Sequence, residues 1–403
     1  MLLAIAELLV PFLVAILATS WVFPKVLKIS LSKNIVDNPD ARKLQRTPIP
    51  VLGGMVVMGG ILVALCVADL FVDCSSLYTI VLAMTIMLFI GTIDDILDIS
   101  SVLRFMLEIL LALMIVYTCG YSLDCLHGLW NVELLPLWIS LPLTVVTVVG
   151  VINAINLIDG VDGLSSGFCI MASSLFGIMF YFAGNGSMLV LAAVAIGALI
   201  PFFFHNVFGR TSKMFIGDGG TLLMGIILST FVIRTLTHGT SCASLDPNLG
   251  LIPFTISVMS IPVFDTLRVM SIRMLRGKSP FSPDKTHLHH LFIEMGFSHI
   301  GTTVSILSFN TLIVACWWLS YRLGCSVEWQ LYIVLILALT LTFVFYKFMK
   351  IQQRYNSAIW RVMQAIGKMS HIERKGIFLW LQNLMDGKRE KFTPSSELKS
   401  DVQ

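Results

Sequence analysis

Acidic, amide and histidine side chains are grouped at four places in this sequence, each beside a long apolar stretch. The groups are Asp94-Asp95, the stretch NAINLIDGVD from Asn153 to Asp162, Gly217-Asp218-Gly219, and His287-Leu288-His289-His290. Charged side chains close to the hydrocarbon of a membrane are costly, so they are rare there and mark functional sites. Four groups that all border apolar stretches therefore predict one site. Carboxylates and histidines near lysines and arginines indicate a divalent metal ion that holds phosphate.

The first group, Asp94 and Asp95, ends an apolar stretch in the sequence FIGTIDDILDIS. Adjacent carboxylates repel each other and lose hydration at a helix end, so a positive charge should compensate them. Mg²⁺ suits this position because it prefers oxygen ligands and shares them with substrate phosphates. Taken alone, the pair could equally be a solvated helix end without a role.

The second group combines amides and carboxylates with glycines. Asn153 and Asn156 are three residues apart, and so are Asp159 and Asp162, so each pair can share a helical face or line one turn. The glycines among them allow the backbone to approach a ligand closely. These side chains could coordinate a metal ion or hydrogen-bond the edge of a base. An ordinary polar turn does not explain four such residues between two apolar stretches.

The third group opens another apolar stretch with Gly217-Asp218-Gly219-Gly220. The unpaired N–H groups and the dipole at a helix N-terminus favour an anion. Asp218 beside that anion requires a bridging cation, which again indicates Mg²⁺. Phe215 could stack on a base, although an aromatic residue at the membrane interface is the more common explanation.

The fourth group, His287, His289 and His290, follows Lys285 in the sequence DKTHLHH. These side chains could bind either zinc or phosphate. Adjacent histidines diverge on a helix and no cysteine is nearby, which makes a compact tetrahedral zinc site unfavourable. Phosphate binding by imidazolium rings together with Lys285 is therefore the favoured interpretation.

Some polar residues outside the four groups have an open role or none. Asp265 could be a further member of the site or an ion-pair partner of Arg268. A disulfide between Cys119 and Cys125 would require an oxidising compartment on that side of the membrane. The other five histidines have no predicted role: His127, His205, His238, His299 and His371.

The elements that carry these groups are predicted to be membrane-spanning helices. The chain has 403 residues, of which 56% are hydrophobic and 13% charged, and its mean hydropathy is +0.86. A soluble core could not hold so much apolar residue, whereas each membrane span needs roughly 20 apolar residues. Hydropathy predicts an all-α bundle of about eleven spans, near residues 3–23, 52–71, 77–95, 103–120, 135–153, 165–183, 187–206, 217–236, 250–271, 302–322 and 329–348.

The distribution of positive charge predicts the orientation of the bundle. Lysines and arginines follow the odd-numbered spans, and the even-numbered connections nearly lack them. The positive-inside rule therefore predicts that the N-terminus is outside, the C-terminus is cytoplasmic and all four groups face the cytoplasm. Residues 1–349 form the predicted transmembrane catalytic domain. Residues 350–403 are predicted to be a cytoplasmic tail with an amphipathic interfacial helix, a partly disordered end and no catalytic part.

Three other classes of protein fit these positions less well. An ion-coupled transporter would place acidic residues in the middle of its spans, whereas these lie at the ends. A zinc protease would carry HExxH on a helix, and the sequence has no such motif. A structural scaffold gives no reason for aspartate, asparagine and histidine to gather on one face.

Together the motifs resemble those of the polyprenyl-phosphate N-acetylhexosamine-1-phosphate transferases. The matching stretches are DNPDARKLQRTPIPVLGG (37–54), GTIDD (91–95), NAINLIDGVDGL (153–164), FIGDGG (215–220) and DKTHLHH (284–290). They occur in the order of the family and extend over most of the predicted membrane region. The resemblance implies that a lipid phosphate attacks the β-phosphorus of a UDP-sugar, releases UMP and leaves a lipid-linked pyrophosphate sugar.

The resemblance also implies three sets of residues. The ligands of Mg²⁺, with Mn²⁺ as the alternative ion, would be Asn156 and Asp218. The catalytic residues would be Asp94, Asp95, Asp218, His287, His289 and His290. Asp162 would hydrogen-bond uracil with Phe215 stacked on its ring, and the full set of substrate-binding residues would be Arg42, Lys43, Arg46, Asn153, Asp159, Asp162, Phe215 and Lys285.

The run His287-Leu288-His289-His290 is similar to the HxHH variant of the family, in which the donor carries no peptide. The implied donor is a UDP-N-acetylhexosamine, with UDP-N-acetylglucosamine favoured and a phospho-N-acetylmuramoyl-pentapeptide transferase as the alternative. The implied partners are undecaprenyl phosphate and membrane lipids, and no nucleic acid is expected. A homodimer is possible, and the oligomeric state is left open. The expected location is the bacterial inner membrane, where the enzyme would begin synthesis of a cell-envelope polysaccharide.

Overall fold

The apolar stretches of the chain form α-helices, since only a helix satisfies its own backbone hydrogen bonds within a bilayer. The computed structural model describes residues 2–38, 47–97, 99–132, 134–280, 284–371 and 375–387. Its α-helices are α1 (Leu2–Ser32), α2 (Gly53–Ala68), α3 (Tyr78–Leu97), α4 (Ser101–Cys119), α5 (Leu137–Leu157), α6 (Leu164–Phe182), α7 (Gly186–Phe208), α8 (Gly217–Leu236), α9 (Leu251–Val258), α10 (Ser260–Leu275), α11 (Leu288–Glu294), α12 (His299–Arg322), α13 (Val327–Leu339), α14 (Phe345–Arg354), α15 (Ala358–Met369) and α16 (Ile377–Asp386). The predicted all-α class is confirmed.

Shorter elements join these helices. Two strands, β1 (Val36–Asp37) and β2 (Ile49–Pro50), pair in antiparallel register. A π-helical turn, Thr340–Val344, connects α13 to α14. Short 3₁₀ turns occur at Ser75–Leu77, Leu129–Asn131, Ser241–Ser244 and Pro247–Leu249.

Among the described residues, nine helical segments are long and apolar enough to cross a membrane. The pair α9 and α10, bent by 55°, could form a tenth. α2 is apolar but only 16 residues long. The predicted number of about eleven spans is reached only if both the bent pair and α2 are counted. The orientation of the bundle stays a prediction.

α8 runs through the middle of the bundle. All of its residues except Asp218 and Arg234 are buried, and it packs against α2, α3 and α5. A helix that is apolar on all sides is suited to this position, because no face has to meet water. The burial of α8 fixes the position of its N-terminus, and with it the position of Asp218.

The segment before α8 is pinned to the segment before α2. The N–H of Phe215 donates to the carbonyl of Pro50 at 2.8 Å, and the N–H of Gly53 donates to the carbonyl of Phe215 at 3.0 Å. The N–H of Gly54 donates in the same way to Ile216 at 2.8 Å. These bonds give Phe215 a fixed place at one end of the bundle.

The C-terminal part of the chain folds back onto this same end. The predicted domain boundary at residue 349 falls inside α14, which continues the last apolar segment to Arg354. α15 then begins at a Ser357 cap, whose side chain accepts the N–H of Trp360. Cys119 and Cys125 are not joined by a disulfide.

Candidate active site

A cleft of about 1200 Å³ opens at the end of the bundle where α3 and α5 end and α8 begins. Side chains from all four predicted groups line it: Asp94, Asp95, Asn156, Asp159, Asp162, Asp218, His289 and His290. Phe215 lines it as well. Helices far apart in the sequence therefore bring most of the predicted site residues together.

Asp95 caps the N-terminus of α8. Its carboxylate accepts the backbone N–H of Asp218 at 3.0 Å and that of Gly219 at 3.3 Å. These N–H groups have no partner within the helix, and a negative charge complements the positive end of the helix dipole. Gly217 makes the contact possible, because its φ is +71° and a Cβ there would stand 2.5 Å from Asp95 Oδ2. Asp95 therefore fixes the position of Asp218.

Arg104, near the start of α4, lies between two carboxylates of the cleft. Its Nη1 donates to Asp94 Oδ2 at 3.0 Å and lies 3.5 Å from Asp218 Oδ2. The other oxygen of Asp94 accepts the N–H of Ile99 at 2.8 Å. Asp218 also accepts the side-chain amide of Asn156 at 2.8 Å. Asp94, Asn156 and Asp218 thus occupy one pocket.

Behind Arg104, Glu108 and Asn153 form a buried layer. Glu108 Oε1 lies 3.7 Å from Arg104 Nε, and the amide of Asn153 donates to Glu108 Oε2. The same amide donates to the carbonyl of Val149 at 2.9 Å. Asn153 does not line the cleft, so its predicted contact with substrate is corrected to a supporting contact behind Arg104.

The loop between α5 and α6 presents two further carboxylates to the cleft. Asp159 accepts the hydroxyl of Ser165 at 2.5 Å. Asp162 Oδ2 lies 2.6 Å from Lys213 Nζ and 2.9 Å from His299 Nδ1. Burial raises the pKa of Asp162, but the hydrogen bond with His299 and the charge of Lys213 outweigh it, so the pKa lies below its usual 3.8. Asp162 is therefore an ionised, positively partnered carboxylate at this end of the cleft.

Of the three histidines in the fourth group, His289 and His290 line the cleft, and His287 is buried outside it. His289 packs directly on the α5–α6 loop, where a Cβ at Gly160 would stand 2.0 Å from His289 Nε2. Burial and the neighbouring histidines lower the pKa of His289 well below 6.5, and burial also lowers the pKa of His290. The lowered pKa values favour the uncharged form of both rings, and their contact with phosphate stays a prediction.

His287 is buried and does not line the cleft. Its Nδ1 lies 3.1 Å from Asp265 Oδ2, which also accepts the N–H of Leu288 at 3.1 Å. The other oxygen of Asp265 accepts the guanidinium of Arg268 at 2.6 Å. His287 stacks on His289 with parallel rings 5.6 Å apart. The predicted catalytic contact of His287 is therefore corrected to a supporting one, and Asp265 is the partner of Arg268.

Besides Asn153, four predicted substrate-binding residues are not among the described residues that line the cleft. Lys285 is exposed and does not line the cleft. Arg42, Lys43 and Arg46 lie outside the described residues. Their contact with phosphate stays a prediction.

Several cleft residues were not predicted. Lys213, His299 and His371 line the cleft without a predicted role there, and Arg104, which does not line it, contacts the cleft residue Asp94. Asn206 bridges two loops of the site, because it accepts the N–H of Gly163 at 2.7 Å and donates to the carbonyl of Met214 at 2.9 Å. The tail also lines the cleft, through Ser370, His371, Phe378 and Gln382.

The oxygen-rich pocket at Asp218 fits Mg²⁺ or Mn²⁺. Among the described residues, no three histidine, cysteine, aspartate or glutamate side chains are arranged as a complete metal site. Mg²⁺ does not need one, because one or two carboxylates and the substrate phosphates usually hold it. If Asp94, Asp95 and Asp218 are all ionised, their negative charge exceeds the single positive charge of Arg104 among them, so an added cation would stabilise the ionised forms.

Comparison with known proteins places the chain beside a group of transferases. Residues 77–236 match the family described as Glycosyl transferase family 4. The chain is 30% identical over 320 residues to the undecaprenyl-phosphate alpha-N-acetylglucosaminyl 1-phosphate transferase of Escherichia coli O157:H7. The aligned residues cover 78% of this chain and 84% of that protein. It is also 30% identical over 295 residues to the probable undecaprenyl-phosphate N-acetylglucosaminyl 1-phosphate transferase of Bacillus subtilis strain 168, covering 73% and 79% of the two chains.

Proposed function

Because the chain belongs to Glycosyl transferase family 4, we propose that it transfers N-acetylglucosamine 1-phosphate from UDP-N-acetylglucosamine to undecaprenyl phosphate. A phosphate oxygen of the lipid forms a bond to the β-phosphorus of the donor. The bond between that phosphorus and the oxygen bridging to the α-phosphate breaks, and UMP leaves with the bridging oxygen. The product is the lipid-linked pyrophosphate of the sugar.

The observation that carries this proposal is the meeting of Asp94, Asn156 and Asp218 in one pocket around Arg104. Phosphoryl transfer requires positioning and charge neutralisation more than covalent help from the protein. Arg104 provides a fixed positive charge, and Asp218 and Asn156 would hold Mg²⁺. When bound, Mg²⁺ would neutralise the diphosphate of the donor.

In this proposal Asp94 is a positioning residue and not a general base. A lipid monophosphate with a second pKa near ~6 is already mostly dianionic at neutral pH and needs no strong base. Both oxygens of Asp94 are engaged, one by Arg104 and one by the N–H of Ile99. We therefore assign Asp94 to the orientation of Arg104 and of the acceptor phosphate.

The nucleoside of the donor is assigned to the part of the cleft that Phe215 and Asp162 line. Phe215 lines the cleft with its backbone pinned to Pro50 and Gly53, so its ring has a defined place. Asp162 is ionised and able to accept an N–H of uracil. His289, which packs on the loop between α5 and α6, and His290 both line the cleft and would donate to phosphate oxygens. The proposed location is the bacterial inner membrane, with the cleft facing the cytoplasm.

The proposal is tested with purified protein, undecaprenyl phosphate, Mg²⁺ and separate UDP-sugars. The donors are UDP-N-acetylglucosamine, UDP-N-acetylgalactosamine, UDP-glucose and UDP-N-acetylmuramoyl-pentapeptide, and the readout is UMP release with the lipid product. We expect turnover with UDP-N-acetylglucosamine that stops when EDTA removes the metal. Lack of UMP from every donor would contradict an enzyme of this class, and preference for the pentapeptide donor would contradict the assigned sugar.

A further inference from the structure

The C-terminal tail forms one wall of the cleft. We use the term strap for residues 358–371 and 375–387, which include α15 and α16. Ser370, His371, Phe378 and Gln382 of the strap line the same cleft as the site residues. Gln382 is buried, although α16 carries several exposed apolar residues on its other sides. The strap is therefore packed against the cleft by a specific face.

The first attachment of the strap is at the end of α15. Ser298, which caps α12, donates its hydroxyl to the carbonyl of Ser370 at 2.7 Å, and its N–H donates to the hydroxyl of Ser370 at 2.9 Å. His371 Nε2 lies 3.0 Å from the carbonyl of Gly296. The next residue of α12 is His299, which contacts Asp162. This attachment thus lies directly beside a cleft residue.

The second attachment is at Asp386, the last residue of α16. One oxygen of its carboxylate accepts the N–H groups of Thr211 and Ser212 and the Ser212 hydroxyl, each at 3.0 Å, and the N–H of Arg210, also at 3.0 Å. Consecutive backbone N–H groups that converge in this way form an anion-binding concavity. Burial raises the pKa of Asp386, but these hydrogen bonds outweigh it and leave the pKa below 3.8, so the carboxylate is ionised.

The loop held by Asp386 leads directly into the part of the cleft assigned to the nucleoside. Lys213 follows Ser212 and contacts Asp162 at 2.6 Å. Two residues later, Phe215 lines the cleft. Ser212 also contacts His205, whose Nδ1 lies 3.0 Å from the Ser212 hydroxyl. On the strap side, Phe378 packs edge-on against Phe208 with ring centres 5.3 Å apart. Moving α16 therefore moves the loop that places Lys213.

We infer that Asp386 is a positioning residue for the nucleotide of the donor, which it serves by fastening α16 to the loop of residues 209–213. The inference rests on the proposed function for the identity of the nucleotide. Asp386 does not touch the donor. It sets the position of Lys213 and Phe215 on one side and of Gln382 on the other. The acceptor lipid, near Asp94, is not affected.

The test measures binding of UDP by titration calorimetry and turnover of UDP-N-acetylglucosamine in the full-length protein. For Asp386→Ala we expect the Kd of UDP and the KM of the donor to rise together by about tenfold, the scale of losing a set of charge-assisted hydrogen bonds. The kcat and the KM of undecaprenyl phosphate should change by less than about twofold, because uniform binding and not the chemical step is lost. Asp386→Asn keeps an acceptor oxygen and should show a smaller rise.

Asn383→Ala is the matched control, because Asn383 is an exposed residue one turn earlier on α16. It should leave the Kd of UDP unchanged, and the same rise as in Asp386→Ala would overturn the inference. Unchanged UDP binding in Asp386→Ala would also overturn it, as would a fall in kcat alone. Failure of the wild type to release UMP would contradict the proposed function instead, because UDP binding is measured without turnover.

Discussion

Arg104 shows how a single residue can organise an acidic pocket. Its guanidinium contacts Asp94 and lies 3.5 Å from Asp218, while Glu108 stands behind it. Two carboxylates this close together repel each other unless a cation separates them. Arginine suits this position better than lysine, because its planar guanidinium can meet several carboxylates at once and stays charged. We therefore expect Arg104 to be needed for activity.

For Arg104→Ala we predict that kcat falls by about 100-fold or more, the scale of losing one preorganised electrostatic contact. Arg104→Lys keeps the positive charge but not the planar set of N–H donors of the guanidinium, and its kcat should be only partly restored. The measurement is kcat at saturating donor and acceptor over a range of Mg²⁺ concentrations. Near-normal turnover in Arg104→Ala would show that the two carboxylates do not need this cation.

At the scale of elements, the loop between α5 and α6 packs against α11 in the wall of the cleft. Gly160 has no side chain, and His289 occupies the space where a Cβ would stand, 2.0 Å from its Nε2. His289 is in turn held by the stack on His287 and the bond of His287 to Asp265. A side chain at residue 160 therefore has to displace a buried ring.

We predict that Gly160→Ala lowers both stability and activity. Overpacking of this kind costs about 1–3 kcal/mol, and movement of His289 should lower kcat/KM by about tenfold or more. Gly150→Ala is the control, because Gly150 lies in α5 and a Cβ there meets nothing within 4 Å. The control should keep full activity and melt at the same or a higher temperature. Equal behaviour of the two variants in thermal unfolding and turnover would contradict this packing argument.

The connection between α10 and α11 is held by a bidentate ion pair. Asp284 accepts Arg273 Nε and Nη2, both at 3.0 Å, and the N–H of Thr286 at 3.1 Å. Burial raises the pKa of Asp284, but these bonds outweigh it and lower the pKa to about 2. The native state therefore binds the proton less readily than the unfolded chain, and the stabilisation is present above pH 3.8 and lost as the pH falls toward 2.

Asp284→Asn should consequently lower the melting temperature of the detergent-solubilised protein at pH 6. The gap between wild type and variant should narrow when the pH is lowered from 5 to 3, since Asp284 then takes up its proton in the unfolded wild-type chain while it is still ionised in the native state. Thermal unfolding followed at several pH values measures this gap. A gap of constant size over that range would rule out the ion pair as its source.

The sequence predicted the parts of the site that lie at the ends of apolar stretches. Asp94, Asn156 and Asp218 stand out because polar side chains beside long apolar stretches are costly and therefore rare. Asn153 was misplaced because a spacing of three puts it on the same face of α5 as Asn156 but one turn deeper, beside Glu108. The attachment of Asp386 to residues 210–212 could not be predicted, because it joins positions about 175 residues apart and no local pattern encodes it.

At the scale of the whole molecule, the orientation in the membrane decides which compartment supplies the donor. The cleft and the strap lie at the same end of the bundle, and the loop of Arg210 and Lys213 belongs to it. The positive-inside rule assigns this end to the cytoplasm. Nucleotide sugars of the proposed kind would then reach the cleft without crossing the membrane.

Reporter fusions test this orientation. A green fluorescent protein joined after Gln403 should fluoresce, and alkaline phosphatase at the same place should be inactive, since the first requires the cytoplasm and the second the outside. Alkaline phosphatase inserted at Gly184, in the connection between α6 and α7, should be active. The opposite pattern of the two phosphatase fusions would reverse the assigned orientation.

The enclosure of α8 restricts how its sequence can change over evolutionary time. Helices such as α4 expose many side chains to lipid, where one aliphatic residue can replace another without a neighbour having to adjust. On α8, nearly every substitution changes a volume that α2, α3 or α5 must match. Among diverged relatives, α8 should therefore drift most slowly of all the spans, and its rare replacements should be accompanied by compensating ones on those three helices.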